Sequence, residues 1–251
     1  MSSWVIVGAG YTGGALAHRL AAEGHDVVAT RRRPASTASA STIVLDLAQP
    51  PERSFPGAIV VCCAPPGADP ALEIQHLVAL GGRRIVYVSS TGVYAPGGGA
   101  WVDESWPLAP APRSGRARLA AERALPVDAV ILRAAGIYGP GRGLVERLRA
   151  GTYRIVGDGR AHVSRIHVDD LVETIVRAGL ATATGAFNVA DDDPAPIGEV
   201  ADAVAAHLGL PPPPRVAATS VDPEVAGMLT ADRRIANGRI KAELGVVLRY
   251  P

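Results

Sequence analysis

Short apolar runs alternate with helix-like patterns along the first half of the chain. The apolar runs predict strands at residues 4–7, 26–30, 42–45, 58–63, 84–89 and 129–132, and helical spacing predicts helices at 15–22, 71–80 and 119–124. The run at 58–63 is apolar throughout, which is typical of a strand that is buried on both faces. This alternation predicts an α/β fold built on a doubly wound parallel sheet.

The pattern becomes less regular after residue 136. Helices are predicted at 144–149, 169–178, 197–207 and 235–244, and a short strand is predicted at 187–189. The prolines at 211–214 predict a rigid extended connector. The Gly- and Pro-rich segment 95–112 is longer than a simple connection and is a candidate substrate loop. We therefore expect a sheet domain followed by a smaller carboxyl-terminal part.

The composition is that of an ordinary globular protein. Of the 251 residues, 48% are hydrophobic and 20% are charged, and the net charge is +1, which points to neither nucleic acid nor a membrane surface as a partner. The amino terminus lacks a basic signal-peptide region, and no apolar run reaches the roughly 18 residues of a membrane span. We expect a cytoplasmic protein. Cys62 and Cys63 are adjacent, so they predict buried apolar positions rather than a disulfide or a metal site.

A glycine motif follows the first predicted strand and opens the first predicted helix. It is Gly8-Ala9-Gly10-Tyr11-Thr12-Gly13, a G-x-G-x-x-G pattern. Gly8 permits a tight turn, Gly10 lets the backbone approach a diphosphate, and Gly13 allows close helix–strand packing. Tyr11 and Thr12 begin the helix, whose N-terminus favours phosphate. The motif predicts a dinucleotide site; the alternative is a glycine-rich turn without a ligand.

The end of the second predicted strand favours NADP over NAD, although NAD is possible. An NAD site usually offers an acidic residue there, whereas this chain has Thr30-Arg31-Arg32-Arg33. Arginine suits a phosphate, so we assign Arg31 and Arg32 to the 2′-phosphate; the alternative is a solvated basic loop. By position after their strands, Asp46 and Leu47 are expected beside the adenine. Cys63 and Ala64 are expected beneath the ribose or the nicotinamide.

Three further segments resemble one known family. They are Val-Tyr-Val-Ser-Ser-Thr-Gly-Val-Tyr at 86–94, the segment 132–141 with Gly-Ile-Tyr-Gly-Pro-Gly, and Arg-Ile-His-Val-Asp-Asp-Leu at 165–171. The chain resembles an atypical short-chain dehydrogenase/reductase related to the extended, NAD-dependent epimerase/dehydratase family. The resemblance implies a Rossmann-type NAD(P)-binding domain at 1–136 with parts of 160–185. It also implies a smaller substrate-binding part, mostly 137–251.

The resemblance also implies an active site of Ser, Tyr and Lys, the last two in a Tyr-x-x-x-Lys motif. That motif maps onto residues 114–118, where Ser114 stands at the tyrosine position and Arg118 at the lysine position. The only lysine is Lys241, and Asn237 lies four residues before it, so the chain contains no Tyr-x-x-x-Lys. We assign Arg118 to the nicotinamide ribose, which the family's lysine binds. Arg118 cannot supply a titratable base, because an arginine stays protonated near neutral pH. Arg116 faces a phosphate or an anionic substrate, or both arginines face solvent.

The resemblance suggests the remaining site residues. Ser90 matches the catalytic serine, Tyr94 is the first candidate for the missing proton donor and Tyr138 is the second; the alternative for both tyrosines is a packed aromatic ring. Ser89 and Ala135 are assigned to the cofactor. The residues expected near the substrate are Thr91, Tyr138, Arg142, Arg165 and His167. His167 has a structural alternative at the start of a helix, where Asp169 and Asp170 are expected to be N-terminal caps.

Two functions of different classes follow from these residues. The first is an NADP-dependent oxidoreductase or epimerase-like enzyme that acts on the carbonyl or hydroxyl group of a small molecule. The second is a non-catalytic dinucleotide-binding sensor or scaffold. The sequence predicts no metal and leaves open whether the protein is a monomer or a homodimer.

Overall fold

The computed structural model of the protein describes residues 1–33 and 42–251. The strands are β1 (Ser3–Val7), β2 (Asp26–Arg31), β3 (Thr42–Val44), β4 (Ile59–Cys62), β5 (Arg84–Ser90), β6 (Trp101–Val102), β7 (Val130–Ala134), β8 (Gly136–Tyr138), β9 (Ile155–Val156), β10 (His162–Val163), β11 (Arg165–His167), β12 (Gly185–Val189), β13 (Ala195–Pro196), β14 (Arg215–Val216) and β15 (Arg234–Ile235). The helices are α1 (Tyr11–Ala22), α2 (Pro70–Ala79), α3 (Arg113–Ala124), α4 (Leu144–Arg149), α5 (Val168–Leu180), α6 (Ile197–His207), α7 (Pro223–Leu229) and α8 (Gly238–Leu244).

A seven-stranded parallel sheet forms the centre of the protein. Its strand order is β12-β7-β5-β4-β1-β2-β3. The chain reverses its direction of winding between β1 and β4, and a doubly wound sheet binds its ligand at that switch point, outside the carboxyl ends of the strands. The prediction of a Rossmann-type doubly wound sheet is confirmed.

Alternate residues of the central strands pack against helices on the two faces of the sheet. In β1, Trp4 and Ile6 belong to the core beneath α1 and α5, whereas Val5 and Val7 belong to the core that includes residues of α2 and α3. Packing against α5 is tight, because a Cβ atom on Gly179 would lie 2.5 Å from the Trp4 ring. Burial on both faces explains why the strand sequences are almost continuously apolar.

The structure departs from the expected elements at two places that matter for the site. Helix α3 begins at Arg113, six residues before the predicted helix 119–124, and includes Arg116 and Arg118 in its first turns. The predicted helix 235–244 is shorter: residues 234–235 form β15, which pairs with β6, and α8 begins at Gly238. Pairings of two or three residues, such as β8 with β11, also escaped the sequence pattern because so few side chains alternate.

Segments after β7 leave the sheet and return to it. The chain passes through β8 to β11, re-enters the sheet layers as α5 and β12, and then forms the elements up to α8. Among the described residues, no helix has both the length and the apolar character that crossing a membrane requires.

Candidate cofactor and substrate site

The glycine motif forms the turn between β1 and α1. Gly8 has a φ of +90°, and a Cβ atom there would lie 2.8 Å from the Ala64 nitrogen. A Cβ atom on Gly13 would lie 2.3 Å from the Gly8 carbonyl oxygen, whereas Gly10 has no atom within 4 Å of such a position. The N-cap residue of α1, Gly10, makes no side-chain cap, and the first turn carries no acidic residue. The first N–H groups of α1 therefore remain available to an anion.

A cavity of about 520 Å³ lies beside this turn. Eight of the residues that the sequence assigned to the cofactor line it: Gly8, Gly10, Arg31, Arg32, Asp46, Leu47, Cys63 and Ala64. Arg33, Glu73 and Tyr87 also line it, and the sequence had not singled these out for the site. Its size and its place at the switch point suit the adenosine end of a dinucleotide.

The three arginines of this cavity are exposed and form no ion pair with a described residue. Glu73 accepts a hydrogen bond from the Gly67 N–H at 2.8 Å, which fixes one wall of the cavity. Burial raises the pKa of the Cys62 thiol to about 11 and also raises that of Cys63. Both cysteines are free and stay protonated near neutral pH.

Ala9 also lines the cavity, whereas the last three residues of the glycine motif do not. Thr12 and Gly13 are buried in the first turn of α1. Tyr11 points elsewhere, and its hydroxyl donates a hydrogen bond to the Pro140 carbonyl oxygen at 3.1 Å.

Ser90 ends β5 beside Ala134 of β7, and a short 3₁₀ turn, Thr91–Val93, follows it. The Ser90 Oγ accepts a hydrogen bond from the Gly92 N–H at 3.1 Å. The Arg233 guanidinium holds the turn from outside by donating to the carbonyl oxygens of Thr91, Tyr94 and Ala95 at 3.1, 2.7 and 2.9 Å. No local motif marks Arg233, which is 143 residues away from Ser90 by the numbering, so sequence reasoning missed it.

Tyr94 and Ser89 belong to a buried polar network rather than to an open site. The Tyr94 hydroxyl donates to Asn188 Oδ1 at 2.8 Å and accepts from Arg133 Nη1 at 2.9 Å. The Ser89 hydroxyl donates to Glu122 Oε1 at 2.5 Å, and Glu122 pairs with Arg133 at 2.8 Å. Tyr94 is 0% exposed, and burial raises its pKa to about 12.

This placement argues against three expectations. Tyr94 is a packed aromatic ring whose hydroxyl is fully occupied, which argues against its role as proton donor. The Ser89 side chain is turned into the protein, which argues against a contact with the cofactor. Ala135 is also buried. Its N–H donates to the Val189 carbonyl oxygen at 2.9 Å, so this N–H is not free for a cofactor.

The position of the missing tyrosine is occupied by an exposed serine. The carboxylate of Glu224, from α7, accepts hydrogen bonds from the N–H groups of Arg113 and Ser114 at 2.6 and 2.7 Å. This contact caps the first turn of α3. The Ser114 side chain stays exposed at the surface.

The two arginines that follow Ser114 have different environments. Arg118 turns inward: its Nη1 donates to the Val88 carbonyl oxygen at 2.6 Å, and its guanidinium carbon lies 5.9 Å from the Tyr87 ring centroid. Because Tyr87 lines the cavity, Arg118 lies close to it. Arg116 is exposed and bonds to the Ala111 carbonyl oxygen, as expected for a solvated helix end.

A second group of predicted residues lies around β8 and β11. The Tyr138 and His167 rings meet edge to face with centroids 5.2 Å apart, and Tyr250 stacks on His167 at 3.7 Å. His167 Nδ1 accepts the Asp169 N–H at 3.2 Å, so His167 caps α5. The expected caps were wrong: Asp169 lies inside the first turn, and Asp170 accepts the N–H groups of Arg249 and Tyr250. His167 therefore has the structural role of a helix cap, and this role argues against a contact with the substrate.

Arg165 faces a buried acid that the sequence did not suggest. Its Nε lies 3.7 Å from Asp191 Oδ2, and its Nη2 donates to the Asp193 carbonyl oxygen. Burial raises the pKa of Asp191 to about 6, although Arg165 acts in the opposite direction. Arg142 lies apart from this pair, with its guanidinium carbon 5.1 Å from the Tyr11 ring centroid. The structure thus separates the predicted substrate residues into distinct environments.

Comparison with known proteins gives two family matches. The NAD dependent epimerase/dehydratase family matches residues 70–190. The model described as NADP oxidoreductase coenzyme F420-dependent matches residues 4–78, which contain the glycine turn and the first four strands of the sheet.

Individual proteins are also similar to this chain in sequence or in fold. A 3-diazoavenalumate denitrifying reductase from Streptomyces sp is 34% identical over 200 residues, a match that covers 70% of this chain and 66% of the relative. A functionally unknown conserved protein from Silicibacter pomeroyi DSS is 31% identical, with a TM-score of 0.82 and coverage of 100% of this chain and 95% of that one. The human epimerase family protein SDR39U1, solved with NADPH, shares the fold at 21% identity with a TM-score of 0.80, covering 98% of this chain and 95% of that one. Residues 70–190 of the chain therefore belong to the NAD-dependent epimerase/dehydratase family.

Proposed function

We propose that the protein is an NADPH-dependent reductase of a small-molecule electrophile. The observation that carries this proposal is the cavity at the switch point, where the uncapped start of α1 adjoins Arg31, Arg32 and Arg33. Three guanidinium groups without an ion pair to any described residue favour the 2′-phosphate that distinguishes NADP from NAD. The neighbours differ in their cofactor, since the human protein was solved with NADPH and MoeE5 with NAD, so the choice of NADP rests on the arginines.

The residues present fit such a cofactor. The Gly8 turn leaves no room for a side chain beside Ala64, and the free N–H groups of α1 suit a diphosphate. When bound, the reduced nicotinamide supplies a hydride. Arg118 is the residue that we assign to the nicotinamide ribose, and Ser90 is assigned to hydrogen bonding of the substrate.

Carbonyl reduction at this site would require a proton donor, and neither Tyr94 nor Ser114 suits that role. The Tyr94 hydroxyl is occupied, and Ser114 is a poor acid at neutral pH. Tyr138 is half-buried, and its hydroxyl has no hydrogen-bond partner among the described residues, so it is the remaining tyrosine candidate. Burial and the neighbouring Asp191 raise its pKa.

An electrophile that needs no proton from the protein fits this site better than a ketone. Conversion of an R–N₂⁺ group into R–H and N₂ takes up one hydride and no proton. The name of the Streptomyces relative describes a reductase that acts on a diazo compound with loss of nitrogen. We therefore place diazo compounds first among substrate classes and carbonyl compounds second. The carboxyl-terminal part, mostly 137–251, is proposed to supply the substrate contacts.

One observation favours a second candidate function, a dinucleotide-binding protein without turnover. Ser114 stands at the position of the family's tyrosine, and its N–H donates to the carboxylate of Glu224 in α7 at 2.7 Å. A sensor or scaffold would keep the cofactor cavity but need no acid.

The test combines a binding measurement with a turnover measurement. Nicotinamide fluorescence follows titration with NADPH and NADH, and NADPH oxidation is then followed with an aryl diazonium salt and with an aromatic aldehyde, each against its enzyme-free rate. We expect tight NADPH binding and enzyme-dependent oxidation with the diazonium salt that Tyr138→Phe leaves unchanged. Oxidation with the aldehyde alone, lost in Tyr138→Phe, would favour carbonyl reduction. Binding without oxidation would favour the sensor, and no binding would overturn both functions.

A further inference from the structure

A four-residue loop closes over the first residue of α1. It runs from Gly139 to Arg142, whose backbone groups exchange two hydrogen bonds of 3.0 Å each. The Tyr11 hydroxyl donates to the Pro140 carbonyl oxygen at 3.1 Å. A Cβ atom on Gly139 would lie 2.7 Å from that hydroxyl, so the loop approaches Tyr11 as closely as its glycine permits.

The loop places an unpaired cation beside the glycine turn. The Arg142 guanidinium carbon lies 5.1 Å from the Tyr11 ring centroid, and its side chain is exposed. No described residue forms a hydrogen bond or an ion pair with the Arg142 side chain. Of the other arginines with a ring contact, Arg133 and Arg239 also pair with a carboxylate, whereas Arg118 and Arg147 pair with none among the described residues.

The charges around Tyr11 are mixed, because Glu146 and Asp169 also act on its hydroxyl, but neither of them forms an ion pair with Arg142. The N-terminus of α1 carries partial positive charge, its cap residue Gly10 supplies no acceptor, and its first turn contains no acid. A guanidinium beside such a helix end adds like charge. An anion held between them removes both deficits, and the glycine turn already favours a diphosphate at that place.

We propose that Arg142 binds the diphosphate of the dinucleotide, with Tyr11 as the platform that positions it. This assignment replaces the expectation that Arg142 binds the substrate. It rests on the proposed cofactor function, because the ligand is the same dinucleotide. Arg31 and Arg32 would then bind one end of the ligand and Arg142 its middle.

The test uses the full-length chain and three probes that differ in their phosphates. NADPH and 2′-phospho-ADP-ribose contain the diphosphate, whereas adenosine 2′-monophosphate lacks it. Arg142→Gln is compared with Arg147→Gln, which removes an arginine stacked on Tyr153 at 4.8 Å in α4. Melting temperatures confirm that both variants fold.

We expect Arg142→Gln to weaken NADPH and 2′-phospho-ADP-ribose about tenfold, the factor that one charge-assisted hydrogen bond supplies, and to leave adenosine 2′-monophosphate unchanged. Arg147→Gln should bind all three probes as the unmodified chain does. Tyr11→Phe keeps the ring and loses the bond to Pro140, so we expect an affinity between those of Arg142→Gln and the unmodified chain.

Two results would overturn the inference. Equal NADPH affinity in Arg142→Gln and Arg147→Gln would exclude a contact with the diphosphate. An equal loss for all three probes would show a general effect of charge instead. Failure of the unmodified chain to bind any probe would be a different outcome, since it would reject the proposed cofactor itself.

Discussion

The two halves of the candidate site are built in different ways. The adenosine side comprises Gly8, Gly10, Arg31 to Arg33, Asp46 and Cys63, and these residues line one cavity. The Ser90 side comprises Ser89, Ser90, Tyr94, Ser114 and Arg118. There the hydroxyls of Ser89 and Tyr94 are held in a buried network, and Ser114 stands at the position of the family's tyrosine. The adenosine side therefore has the geometry of a binding site, while on the Ser90 side the chain contains no Tyr-x-x-x-Lys motif.

The difference reflects what each side needs. Binding of a dinucleotide depends on backbone geometry at one turn and on charges at the next strand end, which a short segment supplies. Acid–base chemistry needs a particular side chain with a free hydroxyl at a particular place. The network of Ser89, Glu122, Arg133 and Tyr94 stabilises the fold. Because its hydrogen bonds occupy the hydroxyls of Ser89 and Tyr94, these hydroxyls are not free for acid–base chemistry.

The largest expected effect is on stability, at the Ser90 side. Glu122→Gln removes the carboxylate that pairs with Arg133 at 2.8 Å, where both side chains are buried. An unpaired buried charge costs about 3 kcal/mol, so chemical denaturation should show a loss of that order in the free energy of unfolding. The matched control is Glu23→Gln, which breaks an exposed pair with Arg19 and should change stability far less. Equal losses in the two variants would show that the network does not stabilise the fold.

The next effect concerns the adenosine side. Gly13→Ala places a Cβ atom 2.3 Å from the Gly8 carbonyl oxygen, so the turn must shift. Such overpacking costs about 2 kcal/mol, and we expect NADPH affinity to fall at least tenfold in a fluorescence titration. Gly14→Ala is the control, because its nearest neighbour is 4.0 Å away. If both variants bind NADPH as the unmodified chain does, the turn is not part of the cofactor site.

A smaller effect separates a structural tyrosine from a catalytic one. Tyr94→Phe removes one hydroxyl and leaves Asn188 Oδ1 and an Arg133 N–H without that partner. We expect a loss of about 1 kcal/mol in unfolding free energy and little change in NADPH oxidation per folded molecule. A fall in turnover of more than a hundredfold at unchanged stability would instead make Tyr94 the proton donor.

The smallest effect is on the reactivity of the Cys62 thiol, which lines the cavity. Burial raises the pKa of Cys62 to about 11, so its thiolate appears only as the pH rises toward that value. Alkylation by iodoacetamide, mapped by mass spectrometry, should be very slow at pH 8 and accelerate between pH 9 and 11, as far as the native fold persists. Rapid modification of Cys62 in the folded protein at pH 8 would contradict its burial.

Sequence patterns predicted most of the fold and much of the cavity lining. The continuous apolar runs located the strands of the central sheet because a strand covered on both faces excludes polar residues. The cavity lining was predictable because Gly8, Arg31, Asp46 and Cys63 all follow the carboxyl ends of neighbouring strands. Position along a parallel sheet thus translates directly into position in space.

The rest of the site depends on contacts between distant segments. Glu224 caps α3 from 110 residues away, and Arg233 fixes the turn after Ser90 from the carboxyl-terminal part. Neither residue belongs to a periodic pattern or a motif. Tyr94 looked available because it follows Ser90 closely, but Asn188 and Arg133 from other strands take its hydroxyl.

The measurement that bears most directly on the proposed cofactor is the ratio of NADH to NADPH dissociation constants in the unmodified chain and in the Arg31→Gln/Arg32→Gln variant. We expect the unmodified chain to prefer NADPH by about a hundredfold, as two charge-assisted contacts to the 2′-phosphate imply. The variant should lose that preference while its NADH affinity stays the same. Equal affinity for both cofactors in the unmodified chain, or an equal loss of both in the variant, would contradict the assignment of these arginines to NADP.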